Sequence, residues 1–473
     1  MGLLVVHTLC AAAPTGLARA ALTKPWRVRH AKDSMFQQLK DYFLSHNHLE
    51  QRKWDLLVVS FYAFLACFLP YSTFDWDSYV RWAEQIRIIG FENIYLHHYV
   101  NYMPFNIYAI QLWQLICGWQ GWQLVGYFQL IKIYPIIFDA LTVLLLLRFA
   151  KHYRASLLTV ALLFLPNIAF QYNSFIWGQF DSVYTFFCLF TVFFLLRKQP
   201  IAAVIMFLFA LNSKIQAIVL LPALATAAWV LIYSDEKKWR VKMLRTLVVG
   251  GFVTLALQAV FLLPFSGTPP LQILTLVLQR SVSLSNYITF NADNFWILIG
   301  MRSMQDSDSL KGLFGLTIKN WGYLLFAVSS ILTFLPLAFS ALPNPNHWSK
   351  RLRDISSWSP SERAEWIALI CYLQSLSFFY FFTQMHERYS HPTLVFAGLF
   401  AIISRKKSVF FITCLAYLIN LEQINKYWAH VIDLSKISWI GQLSALLFLI
   451  GLVLAFVSLY RIYLGQVDLK RAA

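Results

Sequence analysis

The chain has 473 residues, of which 59% are hydrophobic and only 13% charged, with a mean hydropathy of +0.57. A water-soluble domain averages about 25% charged residues, so a purely aqueous protein is excluded. The 39 Lys and Arg against 22 Asp and Glu give a formal charge of +17, but the basic residues stand in short clusters between apolar runs. No basic patch is interleaved with exposed aromatics, which excludes a nucleic-acid partner and points to loops that face the cytoplasm.

In chain order, the first twenty residues end in Ala18-Arg19-Ala20 but lack the charged start and long apolar core of a signal peptide. The polar, basic stretch 19–53 is expected to be a cytoplasmic lead-in with a short amphipathic helix near Met35–Leu44, and Met35 is an alternative start. Apolar runs of spanning or near-spanning length then follow. They lie near 54–71, 128–149, 155–170, 181–196, 200–213, 216–233, 246–264, 321–341, 365–383, 392–403, 408–421 and 438–460. The expected fold is therefore an all-α polytopic membrane protein of about twelve transmembrane helices, within a range of ten to thirteen. Residues 1–53 form the lead-in, 54–462 a single membrane domain and 463–473 a cytoplasmic tail. Most of the 39 Lys and Arg fall on alternate loops when the amino terminus is placed inside, which leaves both termini cytoplasmic. The outside then carries two long segments, about 72–127 and 265–320. The first is too aromatic for a free loop, with Tyr79, Trp82, Tyr95, Tyr102, Trp113 and Trp122 among its residues, and is expected to form amphipathic interfacial helices. Cys67, Cys188, Cys371 and Cys414 sit in apolar runs without CxxC or metal-ligand spacing and read as buried side chains.

On this topology four polar clusters gather on the outer side, and ionisable groups beside a bilayer point by default to a functional site. Asp75 and Asp77 follow the first helix. A carboxylate there can accept a proton from an attacking hydroxyl, or it can simply cap the next helix. Gln171 to Asn173, then Trp177, Gln179 and Asp181, pair amides and a carboxylate with a tryptophan, a set suited to a sugar, with helix capping and packing as the rival. Lys214, at the outer end of the 200–213 run, can meet a phosphate or snorkel to the headgroups. The most specific cluster is Met385-His386-Glu387-Arg388-Tyr389, where Arg388 can fork onto phosphate oxygens with His386 as a second donor, or pair with Glu387.

These landmarks, taken with the Asp75 to Trp82 spacing, Gly90, Tyr95, Lys214, Gln216 and Asn294-Phe295-Trp296, resemble the GT-C superfamily of polytopic glycosyltransferases. Within it the match is to bacterial proteins related to the GPI second-mannose transferase. The resemblance extends from the first to the tenth helix. It departs at Asn101-Tyr102-Met103-Pro104, where relatives more often have a doubled proline, and after Lys214, where a proline is usual. It implies a GT-C-like fold, a polyprenyl-phosphate sugar donor, a lipid or glycan acceptor and transfer on the non-cytoplasmic face, in a bacterial inner membrane. It implies Asp75 as base, with Asp77 as understudy. His386, Arg388 and Lys214 would hold the donor phosphate, and Asn173, Trp177, Gln179, Asp181, Gln216, Asn294, Glu387 and Tyr389 would line the substrate. A single inverting displacement needs no redox cofactor and no metal, although Asp75 and Asp77 together are a pair that can hold a divalent ion. The rival from another class is a secondary transporter or flippase, for which Asp139, roughly mid-helix, is the nearest thing to an intramembrane charge.

Overall fold

The computed structural model describes residues 49–71, 76–97, 100–233, 238–282, 286–340 and 358–464. About 78% of the structure is helical. Among the described residues the one sheet has two strands of two residues each, β1 (Thr289–Phe290) and β2 (Met385–His386). Every apolar run marked above overlaps a helix. Among the described residues seven helices are long and apolar enough to cross a membrane, or eight if one bent pair is a single span. The chain is a multi-pass integral membrane protein.

The helices that position the site are α1 (Leu49–Cys67), α2 (Trp76–Ile89), α3 (Pro104–Trp119), α4 (Ile133–His152), α5 (Leu157–Phe164), α6 (Ile168–Gln171), α7 (Asp181–Leu196) and α8 (Pro200–Ser213). After them come α9 (Leu221–Ala228), α10 (Trp239–Leu262), α11 (Pro270–Val282), α12 (Phe295–Leu298), α13 (Ile318–Ser340), α14 (Pro360–Phe381), α15 (His391–Ser404), α16 (Ser408–Asn425) and α17 (Ile440–Tyr463). The centre belongs to α14 and α15. Of the apolar stretch of α14, 89% is buried inside the protein, against 11% for α10, and every residue of α15 is buried. Helix α7 packs along α8 and α4, while α14 lies against α13, α15 and α17. Helix α14 is started by a capping box. The Ser359 hydroxyl accepts from Glu362 N, the Glu362 carboxylate accepts from Ser359 N, and Pro360 takes the first turn, where a missing N–H costs nothing.

The 155–170 run is not one straight helix. It breaks at Pro166 between α5 and α6 with a 63° bend, because proline cannot donate to the preceding turn. Asn167 restarts the chain by accepting from Phe170 N. The aromatic segment after α1 is helical as anticipated. In α2 the buried side chains Tyr79, Val80, Trp82, Ala83 and Ile86 recur at helical spacing, with Asp77, Arg81 and Arg87 exposed on the other face.

Candidate functional site

Helix α6 runs on into a π turn, Tyr172–Trp177, which closes on Gly178 in the left-handed region (φ 85°). One inserted residue of this kind turns side chains off the helical track and is frequent at functional sites. Glycine is required at 178 for two reasons: an L side chain is strained at that φ, and a Cβ would meet Lys132 Cγ at 2.9 Å. The Lys132 ammonium lies beneath the turn, donating to Ile176 O at 2.6 Å and to Pro70 O at 2.8 Å. It thereby ties the exit of α1 to the Trp177 loop. The aromatic face of α2 docks on the same loop: Tyr79 stacks on Phe180 with 4.4 Å between centroids, and its hydroxyl donates to Gln179 at 3.2 Å.

The 383–390 loop is held by residues 286–308. Gln384, at φ 61°, turns the chain out of α14, its N donates to Ile288 O, and β2 then pairs in parallel with β1, Thr289 opposite Met385 and Phe290 opposite His386. Asp308 accepts from Gln384 Nε2 at 2.8 Å and from Thr383 Oγ1 at 3.2 Å, and the Phe290 ring stacks on His386 at 4.8 Å. A single 3-10 turn, Glu387–Ser390, leads into α15 and buries Glu387 and Arg388.

The two loops meet in a charge cluster. Lys214 Nζ, just past α8, lies 2.5 Å from Asp181 Oδ1. Arg388 reaches the other Asp181 oxygen at 3.8 Å and pairs with Glu387 Oε1 at 3.0 Å. Two cations therefore face two carboxylates, which is how buried charge is tolerated, since an ion removed from water without a partner costs several kcal/mol. The Lys214 ammonium also sits 4.4 Å over the Tyr389 ring. His386 keeps 22% of its side chain open. Burial, then the nearby Arg388 and Lys214, holds it well below the usual histidine value, so it is a neutral hydrogen-bonding group and not a third cation.

Two cavities adjoin this cluster. A polar one of about 350 Å³ is walled by Tyr79, Arg81 and Trp82 of α2, by His97, Asn101 and Tyr102, by Gln179, and by His386, Arg388 and Tyr389. An apolar one of about 290 Å³ is walled by Ile215, Ile218, Val219, Leu278, Phe378 and Phe382, with Gln216, Gln384 and Met385 also on its wall. Tyr389 borders both.

Of the residues singled out from sequence, Gln179, His386, Arg388 and Tyr389 line the polar cavity and Gln216 the apolar one. Asp181, Lys214 and Glu387 stand behind them in the charge cluster. Trp177 is buried with Arg388 Cζ 5.7 Å from its ring. Asn173 is buried too; its backbone carbonyl accepts from Gln179 N and its Oδ1 from Tyr417 at 3.4 Å. Asn294 lines neither cavity. Its Oδ1 caps α12 by accepting from Trp296 N, and its Nδ2 donates to the carbonyls of Phe379 and Phe382. Asp77 is exposed, paired with Arg81 at 3.5 Å, and Asp75 lies outside the described residues, as do 1–48 and 465–473. Among the described residues no three His, Cys, Asp or Glu converge as metal ligands. The sequence reading missed Lys132, which immediately precedes α4 as Lys214 immediately follows α8, and Arg280, which donates to the carbonyls of His97 and Val100 and so fixes one wall of the polar cavity. Asp139 is buried in α4, with His391 Nε2 4.0 Å away. Compared with protein-family models and with curated proteins, the chain matches none.

Proposed function

We propose that the protein is a GT-C-like glycosyltransferase that moves a hexose, mannose-like, from a polyprenyl-phosphate donor to a lipid-linked or glycan acceptor on the non-cytoplasmic face, with about twelve spanning helices and both termini inside. The observation that carries the reading is the junction at Tyr389. A polar cavity bearing His386 and Arg388 shares a wall with an apolar cavity, an arrangement suited to a ligand with an anionic group between a polar head and a hydrocarbon tail.

In this mechanism the acceptor hydroxyl attacks the anomeric carbon in line with the departing oxygen and its proton passes to Asp75. The C–O bond to phosphate breaks, its electron pair leaves with the phosphate, and the configuration inverts. Arg388 donates to the phosphate oxygens, and neutral His386 adds an N–H. Lys214 acts through Asp181 and Tyr389 as a positioning residue. Trp82, Tyr102 and Gln179 offer ring faces and an amide to the sugar.

The test is transfer by purified protein from radiolabelled polyprenyl-phosphate sugars to total membrane lipids and glycans. Asp75→Asn is expected to abolish transfer without loss of folded protein, and Arg388→Ala to abolish it with a lowered unfolding temperature, because Glu387 loses its partner. Near-normal turnover in Asp75→Asn sinks the base assignment. No transfer from any donor by folded protein sinks the enzyme and favours the second reading, a proton-coupled transporter or flippase. Asp139, buried mid-helix beside His391, is the observation on that side.

A further inference from the structure

At the other end of α15 from His391, about 21 Å away for a helix of this length, lies a cavity of about 480 Å³ between the start of α5 and the α15–α16 turn. Arg154, Arg405 and Lys407 stand around it with Ser156 and Thr159, and among the described residues no acidic side chain lines it. All three cations are exposed, and none makes an ion pair with a described residue. The first N–H groups of α16 open beside Lys407, adding the positive end of a helix.

What lies next to this cavity narrows its ligand. One turn further along α5, and one turn further along α16, a second cavity of about 350 Å³ runs between Leu162, Leu163, Ile168, Phe411, Leu415 and Leu418. Its lining is apolar apart from Asn167 and Cys414, which hydrogen-bond each other at 3.2 Å. The bend at Pro166 opens it by carrying α6 away from the line of α5. Its rim side chains Leu162, Phe411 and Leu415 are each at least half exposed. A basic cavity alone would suit any anion. A basic cavity continued by an apolar groove along the same two helices suits an anion that carries hydrocarbon.

We propose that this is a site for one anionic phospholipid of the leaflet at that end of the bundle, its phosphate among Arg154, Arg405 and Lys407 and one acyl chain between α5–α6 and α16. Basic pockets between membrane helices are a general way to hold such headgroups. The site is separate from the Tyr389 junction, and its test needs no turnover.

The experiment is native mass spectrometry of the full chain in detergent, titrated with dioleoylphosphatidylglycerol, with dioleoylphosphatidylcholine, and with glycerophosphoglycerol as the headgroup alone. The variant is Arg154→Gly/Arg405→Gly/Lys407→Gln. Arg154 (φ 53°) and Arg405 (φ 63°) already occupy left-handed backbone, so glycine removes charge at both positions without cost to the fold. Wild type is expected to bind one phosphatidylglycerol in preference to phosphatidylcholine, more weakly as salt rises. Each cation near an anionic headgroup changes affinity about fivefold, so the triple variant should bind phosphatidylglycerol about a hundredfold more weakly and phosphatidylcholine as before. Equal affinity of wild type for the two lipids, or unchanged phosphatidylglycerol binding in the variant, overturns the proposal. Competition by glycerophosphoglycerol at equal concentration also overturns it, by showing that the groove has no part.

Discussion

The two ends of the bundle treat positive charge in opposite ways. At the Tyr389 junction, Lys214 and Arg388 are buried and each is met by a carboxylate, Asp181 or Glu387. At the far end, Arg154, Arg405 and Lys407 are exposed and unpaired with any described residue. The difference follows from solvation. A buried ion must be compensated within the fold, whereas an exposed one is compensated by water, salt or a ligand. Paired charge therefore reports on folding, and unpaired charge on what the surface meets.

The largest test of this contrast is Asp181→Asn. It removes the carboxylate that meets Lys214 and faces Arg388, and breaking a buried pair from one side costs about 3–5 kcal/mol. The purified variant should unfold at a clearly lower temperature, with Asp181→Asn/Lys214→Met recovering part of the loss. A wild-type midpoint for the single variant would show that the cluster is not a compensated unit.

Next in size is Gly178→Ala. A Cβ 2.9 Å from Lys132 Cγ, at φ 85°, should cost about 1–3 kcal/mol by overpacking and backbone strain. Lys132→Ala in the same chain should remove the steric part, so the two losses should add to less than their sum in the double variant. Additive losses would mean that the two residues do not touch.

Opposite in sign to each other are two titrations on either side of β1. His386 is held below its ordinary 6.5 by burial and neighbouring cations. As pH falls through 6.5 the unfolded chain gains a proton that the folded chain refuses, and stability drops. Asp293 is pushed up to about 8 by burial, against its ordinary 3.8. Between those values the folded chain keeps a proton that the unfolded chain releases, and stability drops as pH rises. Asp293→Asn should therefore gain thermal stability over wild type progressively from pH 5 to pH 8, and His386→Asn should lose less than wild type below pH 6.5. Parallel curves for Asp293→Asn and wild type would refute the buried, protonated carboxyl.

The smallest expected effect is at the surface. Asp77→Asn breaks an exposed pair with Arg81, and such pairs contribute under about 1 kcal/mol. Its unfolding temperature should stay within error of wild type. A large drop would mean that Asp77 packs against the chain outside the described residues.

The sequence is most informative where one local property decides the structure. Each apolar run overlaps a helix, since burial and backbone satisfaction in a bilayer leave little choice but helix, whereas α11 and α12 lie outside every run. The bend at Pro166 was visible as a residue but not in its consequence, because the angle depends on how α6 packs against α16. At the site, Met385 to Tyr389 stood out because charges crowd together there, and the structure brings His386, Arg388 and Tyr389 to one cavity wall. Asn294 stood out as well, but its amide is spent on α12 and on backbone carbonyls. Capping and recognition use the same side chains, and only the fold distinguishes them. Lys132 and Arg280 went unseen because their partners are carbonyls 44 to 183 residues away, with no sequence pattern at either end.

The pairing of β1 with β2 bears on how the protein is made. Thr289 and Phe290 have no strand partner until Met385 and His386 have been synthesised, and Asp181 must wait for both Lys214 and Arg388. Helices α4, α7 and α8 leave the ribosome long before that. The Tyr389 junction thus stays unfinished until residue 389 of 473 has been made, and the loop between α14 and α15 is what closes it.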